Sequence, residues 1–174
     1  MILEYYNFLS EKELDSLDKK CIDFNGNNFD KINKKTSSNY YNRVFVSDLN
    51  LDNYFTNIKS VLEKIVDKQK FDLIDFSKNY SWINKVVPET NKNDDFHHDM
   101  SYMTAVTYLN NDFQGGEFEY KDINSSIFKI IPEKNKTLIM DEKLNHRVLP
   151  VKSGVRYSLV TFFQFIPKEK KTLF

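Results

Sequence analysis

The chain has 174 residues, of which 40% are hydrophobic and 15% aromatic, including 15 Phe and 10 Tyr. That is enough apolar surface for one domain with a sizeable core, which excludes a disordered chain, and four Gly with four Pro exclude collagen-like and Pro-rich sequence. Lys+Arg and Asp+Glu balance at 25 each, so no global field favours nucleic acid or an anionic membrane, and no apolar run approaches the roughly 18 residues of a membrane span.

No basic segment followed by an apolar stretch follows Met1, and Cys21 is the single cysteine, so the expected compartment is cytoplasmic, with no intrachain disulfide. Only three of the 25 basic residues are arginines: Arg43, Arg147 and Arg156. In a chain so rich in lysine, an arginine within a structured strand is less expected to be filler. The expected organisation is a single domain over 1–174, with helical support over about 1–70 and a β core over about 71–166.

In chain order, Ser10 followed by Glu13 forms a capping box that starts a helix, and Leu14, Leu17 and Cys21 share its apolar face. Cys21 there reads as a small buried hydrophobe. Residues 25–42, rich in Asn, Lys and Ser and without a period, read as a mobile loop, and a short strand follows at 43–46. From 51 to about 68, Tyr54, Phe55, Ile58, Val61, Leu62, Ile65 and Val66 recur at three and four, which predicts an amphipathic helix. Past Phe71 the period shortens. Strands are expected at 75–87, 97–99, 104–110, 117–121, 126–131, 137–141, 146–151 and 155–166, which predicts a β-sandwich or open barrel flanked by helices. The polar, acidic stretch 89–95 reads as a lid, and the basic end 167–174 as a solvated tail.

Candidate chemistry begins at the histidines, His97, His98 and His146. In a strand, residues two apart share a face, so His97 and Asp99 present an imidazole and a carboxylate together, with His98 opposite and partly exposed. Standing alone, this triplet also reads as two surface residues in a loop. His146 on an antiparallel strand would complete a two-His, one-carboxylate facial triad, the arrangement associated with non-haem Fe(II) oxygenases. Ten residues on, beyond a turn at Lys152-Ser153-Gly154, Arg156 and Ser158 share a strand face and can grip a carboxylate. Asp141 and Glu142 lie near His146 but are discounted as ligands, because Asp99 already supplies a carboxylate. Arg147 points away from the ligands and reads as a substrate contact or a surface charge. Trp82 reads as core.

His97-x-Asp99, Thr104 to Asn110, Gly115-Gly116-Glu117, His146 and the segment Pro150 to Ser158 together resemble the Fe(II)- and 2-oxoglutarate-dependent oxygenases, particularly the prolyl 4-hydroxylase-like group. The resemblance runs over roughly residues 80–165. It implies a mainly β (α+β) fold, a double-stranded β-helix (jelly roll, cupin-like) with N-terminal supporting helices. It also implies Fe(II) held by His97, Asp99 and His146, which are then both metal and catalytic residues. Arg156 would pair with the distal carboxylate of 2-oxoglutarate, helped by Tyr108 and by Ser158 or Thr104. The implied reaction takes O2 and 2-oxoglutarate, with ascorbate as an optional reductant, hydroxylates an unactivated C–H bond and releases succinate and CO2. The favoured target is a prolyl or other side chain in a peptide or protein, with no nucleic acid and no membrane involved. A free amino acid or small metabolite is an alternative, and a non-catalytic jelly-roll metal- or ligand-binding protein is the rival from another class. One departure stands out: Val86-Val87-Pro88 occupies the stretch where prolyl hydroxylases usually offer a tyrosine, leaving Trp82 or Asn84 as candidate substitutes.

Overall fold

The computed structural model describes residues 1–23, 42–77, 80–88 and 95–166. Residues 25–41 of the expected loop at 25–42, residues 89–94 of the expected lid at 89–95 and the expected tail at 167–174 lie outside them, while Asn42 belongs to a strand.

The capping box forms as read. Ser10 and Glu13 bond reciprocally, Glu13 Oε2 accepting from Ser10 N at 3.0 Å and from Ser10 Oγ at 2.7 Å, and they open α1 (Glu11–Asp23). Glu13 is buried, and its other oxygen accepts from the Tyr54 amide at 2.8 Å, so one carboxylate caps α1 and also anchors the first turn of α2 (Asp52–Ile65). Helix α2 buries Tyr54, Phe55, Ile58 and Leu62. It stops before the expected end at 68, because Val66 takes an extended backbone (φ −100, ψ 139) and Asp67 caps a separate short helix, α3 (Lys68–Phe71), by accepting from Gln69 N.

Eleven strands follow or interleave: β1 (Ile2–Tyr6), β2 (Asn42–Phe45), β3 (Ser81–Val86), β4 (Met103–Tyr108), β5 (Gln114–Gly115), β6 (Phe118–Lys121), β7 (Ile127–Ile130), β8 (Lys136–Asp141), β9 (His146–Val148), β10 (Val151–Ser153) and β11 (Arg156–Phe163). The large antiparallel sheet runs β1-β8-β4-β11-β3-β2. Opposite it stand β7-β6-β9 and the pair β10-β5. This is the jelly roll that the resemblance implied. The N-terminal 70 residues, expected to be helical support, also supply β1 and β2, the two edges of the large sheet.

Three expected strands are corrected. The stretch 75–87 is strand only over β3, with Ile74 making a lone bridge to Phe165. The stretch 146–151 divides into β9 and β10 at Pro150, which has no amide to donate and whose carbonyl accepts from Gly116 N at 2.9 Å. The stretch 97–99 makes only the bridge His97↔His146.

Alternation along the large sheet separates two cores. Ile83, Met103, Ala105, Ile139, Leu159 and Phe163 face the helices, where they meet Leu17, Ile58 and Leu62. Cys21 joins that core, and burial pushes its thiol up to about 12, as expected of an inert hydrophobe. Residues one position out of phase face the smaller sheet: Tyr108, Leu138 and Met140 pack there with Phe118, Ile130 and Leu144. Both cores contribute to stability at about 25 cal/mol per Å² of apolar surface buried.

Candidate metal centre

Between the sheets lies a pocket of about 140 Å³ lined by Arg43, Asn84, His97, Asp99, Thr104, Val106, Tyr108, Phe118, His146, Val148, Arg156, Ser158, Val160 and Phe162. Every residue expected to act in the chemistry is on this wall. At one side, His97, Asp99 and His146 bring one ligand atom each within 4.8 Å of one another, the one such group found among the described residues.

The orientation of this donor set follows from local bonds. His97 Nδ1 donates to the Asp95 carbonyl at 2.9 Å and His146 Nδ1 to the Leu144 carbonyl at 3.0 Å. Each imidazole therefore spends its N–H on a carbonyl two residues earlier, and the Nε2 lone pair is left to act as the ligand. Asp99 Oδ2 accepts from Thr104 Oγ1 at 2.7 Å, and Thr104 in turn receives the Ser101 hydroxyl at 2.7 Å. Its other oxygen stands 3.8 Å from His146 Nε2. The hydroxyl of Thr104, expected beside the co-substrate carboxylate, thus reaches the site through Asp99. Burial holds His146 below the usual imidazole range against the opposing pull of Asp99, which favours the neutral, ligating form. The ring stacks on Phe118, with centroids 5.1 Å apart.

At the other side, Arg156 is 4% exposed and donates from Nη1 to the Gly116 carbonyl at 3.1 Å. Gly116 has φ +69, and a Cβ there would stand 3.2 Å from that same Nη1, so glycine is what lets the backbone lie against the guanidinium. Ser158 sits opposite Tyr108 in the β11–β4 register, and Asn84 is the partner of Ser158 on β3. Burial pushes the Tyr108 phenol up to about 12 although Arg156 pulls the other way, so it is an O–H donor at any physiological pH. Asn84, rather than Trp82, reaches the lining at the place where the expected tyrosine is lacking. Trp82 stands behind it, buried and donating from Nε1 to Asn84 Oδ1 at 3.0 Å.

Arg147 is turned to the outer face, as alternation requires, where its Nε and Nη2 both reach Glu119 Oε2, at 2.9 and 2.8 Å. His98 is exposed. Asp141 accepts from the Lys143 amide in a turn and is not part of the donor set. Val106, Val148, Val160, Phe162 and Phe118 were not expected in the pocket wall, although period two between Thr104 and Tyr108, and between Arg156 and Ser158, marks Val106 and Val160.

Two imidazoles and one carboxylate make a borderline-hard donor set suited to a divalent first-row metal with open positions, and a buried arginine across a small cavity suits a carboxylate. The model of the 2OG-Fe(II) oxygenase superfamily matches residues 82–164. Fe(II), 2-oxoglutarate and O2 are its cofactor and co-substrates, and the residues present fit them.

Human procollagen-lysine,2-oxoglutarate 5-dioxygenase 2 is 37% identical over 95 residues, 50% of this chain and 13% of that protein. The chain thus spans about an eighth of that relative's length. Among solved structures, a Pseudomonas putida prolyl-4-hydroxylase superposes with a TM-score of 0.68 at 16% identity, covering 95% of this chain and 93% of the other. A Trichoplax adhaerens prolyl hydroxylase in complex with a hypoxia inducible factor peptide gives 0.65 at 14% identity, over 94% and 83%. These likenesses establish the double-stranded β-helix fold. No helix among the described residues is long and apolar enough to cross a membrane.

Proposed function

We propose that the protein is an Fe(II)- and 2-oxoglutarate-dependent dioxygenase that hydroxylates a prolyl or other side chain of a peptide or protein. The observation that carries the reading is the convergence, on one 140 Å³ pocket, of a two-His, one-carboxylate donor set and a buried arginine. The 37% identity to a lysyl dioxygenase and the fold shared with prolyl hydroxylases support a side chain in a peptide as the target. A cytosolic location, no nucleic-acid partner and a single domain belong to the same reading.

His97, Asp99 and His146 would hold the metal. Arg156 would bind the distal carboxylate of 2-oxoglutarate through charge-assisted hydrogen bonds, with the Tyr108 phenol and the Ser158 hydroxyl as further donors. When bound, Fe(II) and 2-oxoglutarate supply an oxidative decarboxylation with O2 that yields succinate, CO2 and a hydroxylated carbon. The chain's own contribution is orientation: the Asp95 and Leu144 carbonyls fix both imidazoles, and Ser101 and Thr104 fix the carboxylate. Val106, Val148, Val160 and Phe118 line the same pocket with apolar surface, which would limit water around the reacting atoms.

The test is an anaerobic titration of metal-free protein with Fe(II) and then 2-oxoglutarate, read by the visible metal-to-ligand charge-transfer band. The band is expected in wild type, absent in His97→Ala, and to require far more 2-oxoglutarate in Arg156→Ala. A folded wild-type protein without the band would overturn the reading.

A further inference from the structure

Asn84 is a polar side chain of the pocket wall for which the proposed function has no use. A carboxylate offers about four lone-pair sites, and the fork of Arg156 with the Tyr108 phenol and the Ser158 hydroxyl supplies as many donors. The distal carboxylate of 2-oxoglutarate is thereby satisfied without Asn84, whose amide is left to serve the other ligand.

That amide is oriented before any ligand arrives. The Trp82 indole N–H can only donate, so the Asn84 atom it meets at 3.0 Å is the carbonyl oxygen Oδ1. Trp82 is 8% exposed, and edge contacts with Phe162 and Phe45, at 5.1 and 6.2 Å between centroids, hold its ring. With Oδ1 occupied from behind, Nδ2 and its two N–H donors are the end of the amide turned to the cavity. The sheet sets where this donor stands. Tyr108, Ser158 and Asn84 are successive register partners across β4, β11 and β3, spaced ~4.8 Å from strand to strand, and the row continues to Arg43 on β2. Exposure rises along it: Tyr108 and Ser158 are each 2% exposed, whereas Asn84 is half-buried. Asn84 therefore lies on the outer side of the co-substrate donors, toward the β2 edge, and Phe162 adds apolar surface to the same pocket.

We infer that Asn84 is a specificity residue that donates from Nδ2 to a backbone carbonyl of a peptide prime substrate, and that Trp82 is the positioning residue that aims it. This rests on the hydroxylase reading of the site. A neutral amide donor matches the neutral carbonyl of a peptide bond, whereas the carboxylate of a free amino acid is better served by a charged donor. Fixing the amide in advance also lowers the ordering cost of binding. The Trp82–Asn84 pair thus selects a residue within a peptide over the same residue as a free amino acid.

The experiment measures succinate formation with N-acetyl-prolinamide, N-acetyl-lysinamide and acetylated, amidated peptides centred on Pro or Lys, beside free proline and free lysine. Wild type is expected to prefer the amide-bearing probes. Asn84→Leu keeps the bulk of the side chain and removes the donor. It should raise KM for the preferred probe by about five- to tenfold, with a smaller change in kcat and the wild-type 2-oxoglutarate requirement. Asn84→Ser, too short to span the same distance, repeats the test with a polar residue. Trp82→Phe keeps a ring against Phe162 and removes the indole N–H, so the amide is free to turn; the same KM should rise by about two- to fivefold. If Trp82 acts through Asn84, the double variant is no worse than Asn84→Leu alone, whereas a merely structural role makes the two effects multiply. Thermal melting checks that each variant is folded. An unchanged KM in folded Asn84→Leu and Asn84→Ser, or a raised 2-oxoglutarate requirement in its place, would overturn the inference. So would a wild-type charge-transfer band with free amino acids preferred, or with no turnover of any amide-bearing probe. Absence of that band in wild type removes the hydroxylase reading itself, and the inference with it.

Discussion

His97 and His146 exchange two backbone hydrogen bonds, each amide donating to the other's carbonyl at 2.9 Å. That single bridge sets the register of the whole donor set. It brings the imidazole centroids to 4.6 Å, and because the side-chain period is two, it places Asp99 on the same side as His97. A slip of one residue would turn both away from His146.

The Ser101–Thr104–Asp99 chain gives the first prediction. Thr104→Val keeps the shape and removes the proton that Asp99 Oδ2 accepts, so the carboxylate is no longer held with Oδ1 toward His146. Fe(II) affinity should fall by about 10- to 100-fold, as for other bonds that orient metal ligands, while unfolding free energy changes by only about 1 kcal/mol. Competition with a metal-sensitive chelator, beside chemical denaturation, checks both parts.

Gly116→Ala should act on the co-substrate without touching the metal ligands. Its φ of +69 is strained for alanine, and the new Cβ would press on Arg156 Nη1 from 3.2 Å. The expected result is a loss of about 1–2 kcal/mol in stability and a several-fold higher 2-oxoglutarate requirement, with Fe(II) affinity near that of wild type. The charge-transfer titration separates the two ligands.

The sequence showed more of the site than of the frame that holds it. His97, Asp99, His146, Arg156 and Ser158 carry distinctive chemistry at spacings of two and ten, Tyr108 was marked by the family resemblance alone, and all of them line one pocket. The edge strand β1 was missed, since five residues with a mixed burial pattern have no period that separates them from a loop. Its place is set by pairing with β8, from Ile2↔Met140 to Tyr6↔Lys136, far away in the sequence. Arg43 was marked only by the scarcity of arginine, because what makes it part of the pocket is its position in a row of four strands.

Stability should fall steeply at alkaline pH. The Tyr54 and Tyr108 phenols are both pushed up to about 12 by burial, whereas an unfolded tyrosine titrates near 10. Above pH ~10 the unfolded chain loses protons that the folded one retains, so ΔG of unfolding declines as pH rises from ~10 through ~12. The loss is roughly 3 kcal/mol at most for each residue. Below pH ~10 the contribution is fully present. Denaturation midpoints between pH 8 and 11 in wild type, Tyr54→Phe and Tyr108→Phe test this, the phenylalanine variants flattening the decline.

The segment bearing His97 has one backbone bridge and the Thr104–Asp99 bond, and outside the pocket its Phe96 ring meets two cations. Lys121 Nζ stands 4.2 Å and the Arg147 guanidinium 4.5 Å from the centre of its ring, and Arg147 is itself locked to Glu119. Cation–π contacts at a half-exposed site are each worth about 0.5–1 kcal/mol, and here they act on the residue adjoining a ligand. Phe96→Ala should therefore loosen His97 relative to His146, lowering Fe(II) affinity by roughly tenfold through a faster off-rate, while Phe96→Tyr keeps the ring and the affinity. Arg147→Ala removes one of the two cations and should give an intermediate effect. Stopped-flow release of Fe(II) into a chelator orders the three variants, and equal release rates in Phe96→Ala and wild type would show that the bridge to His146 suffices.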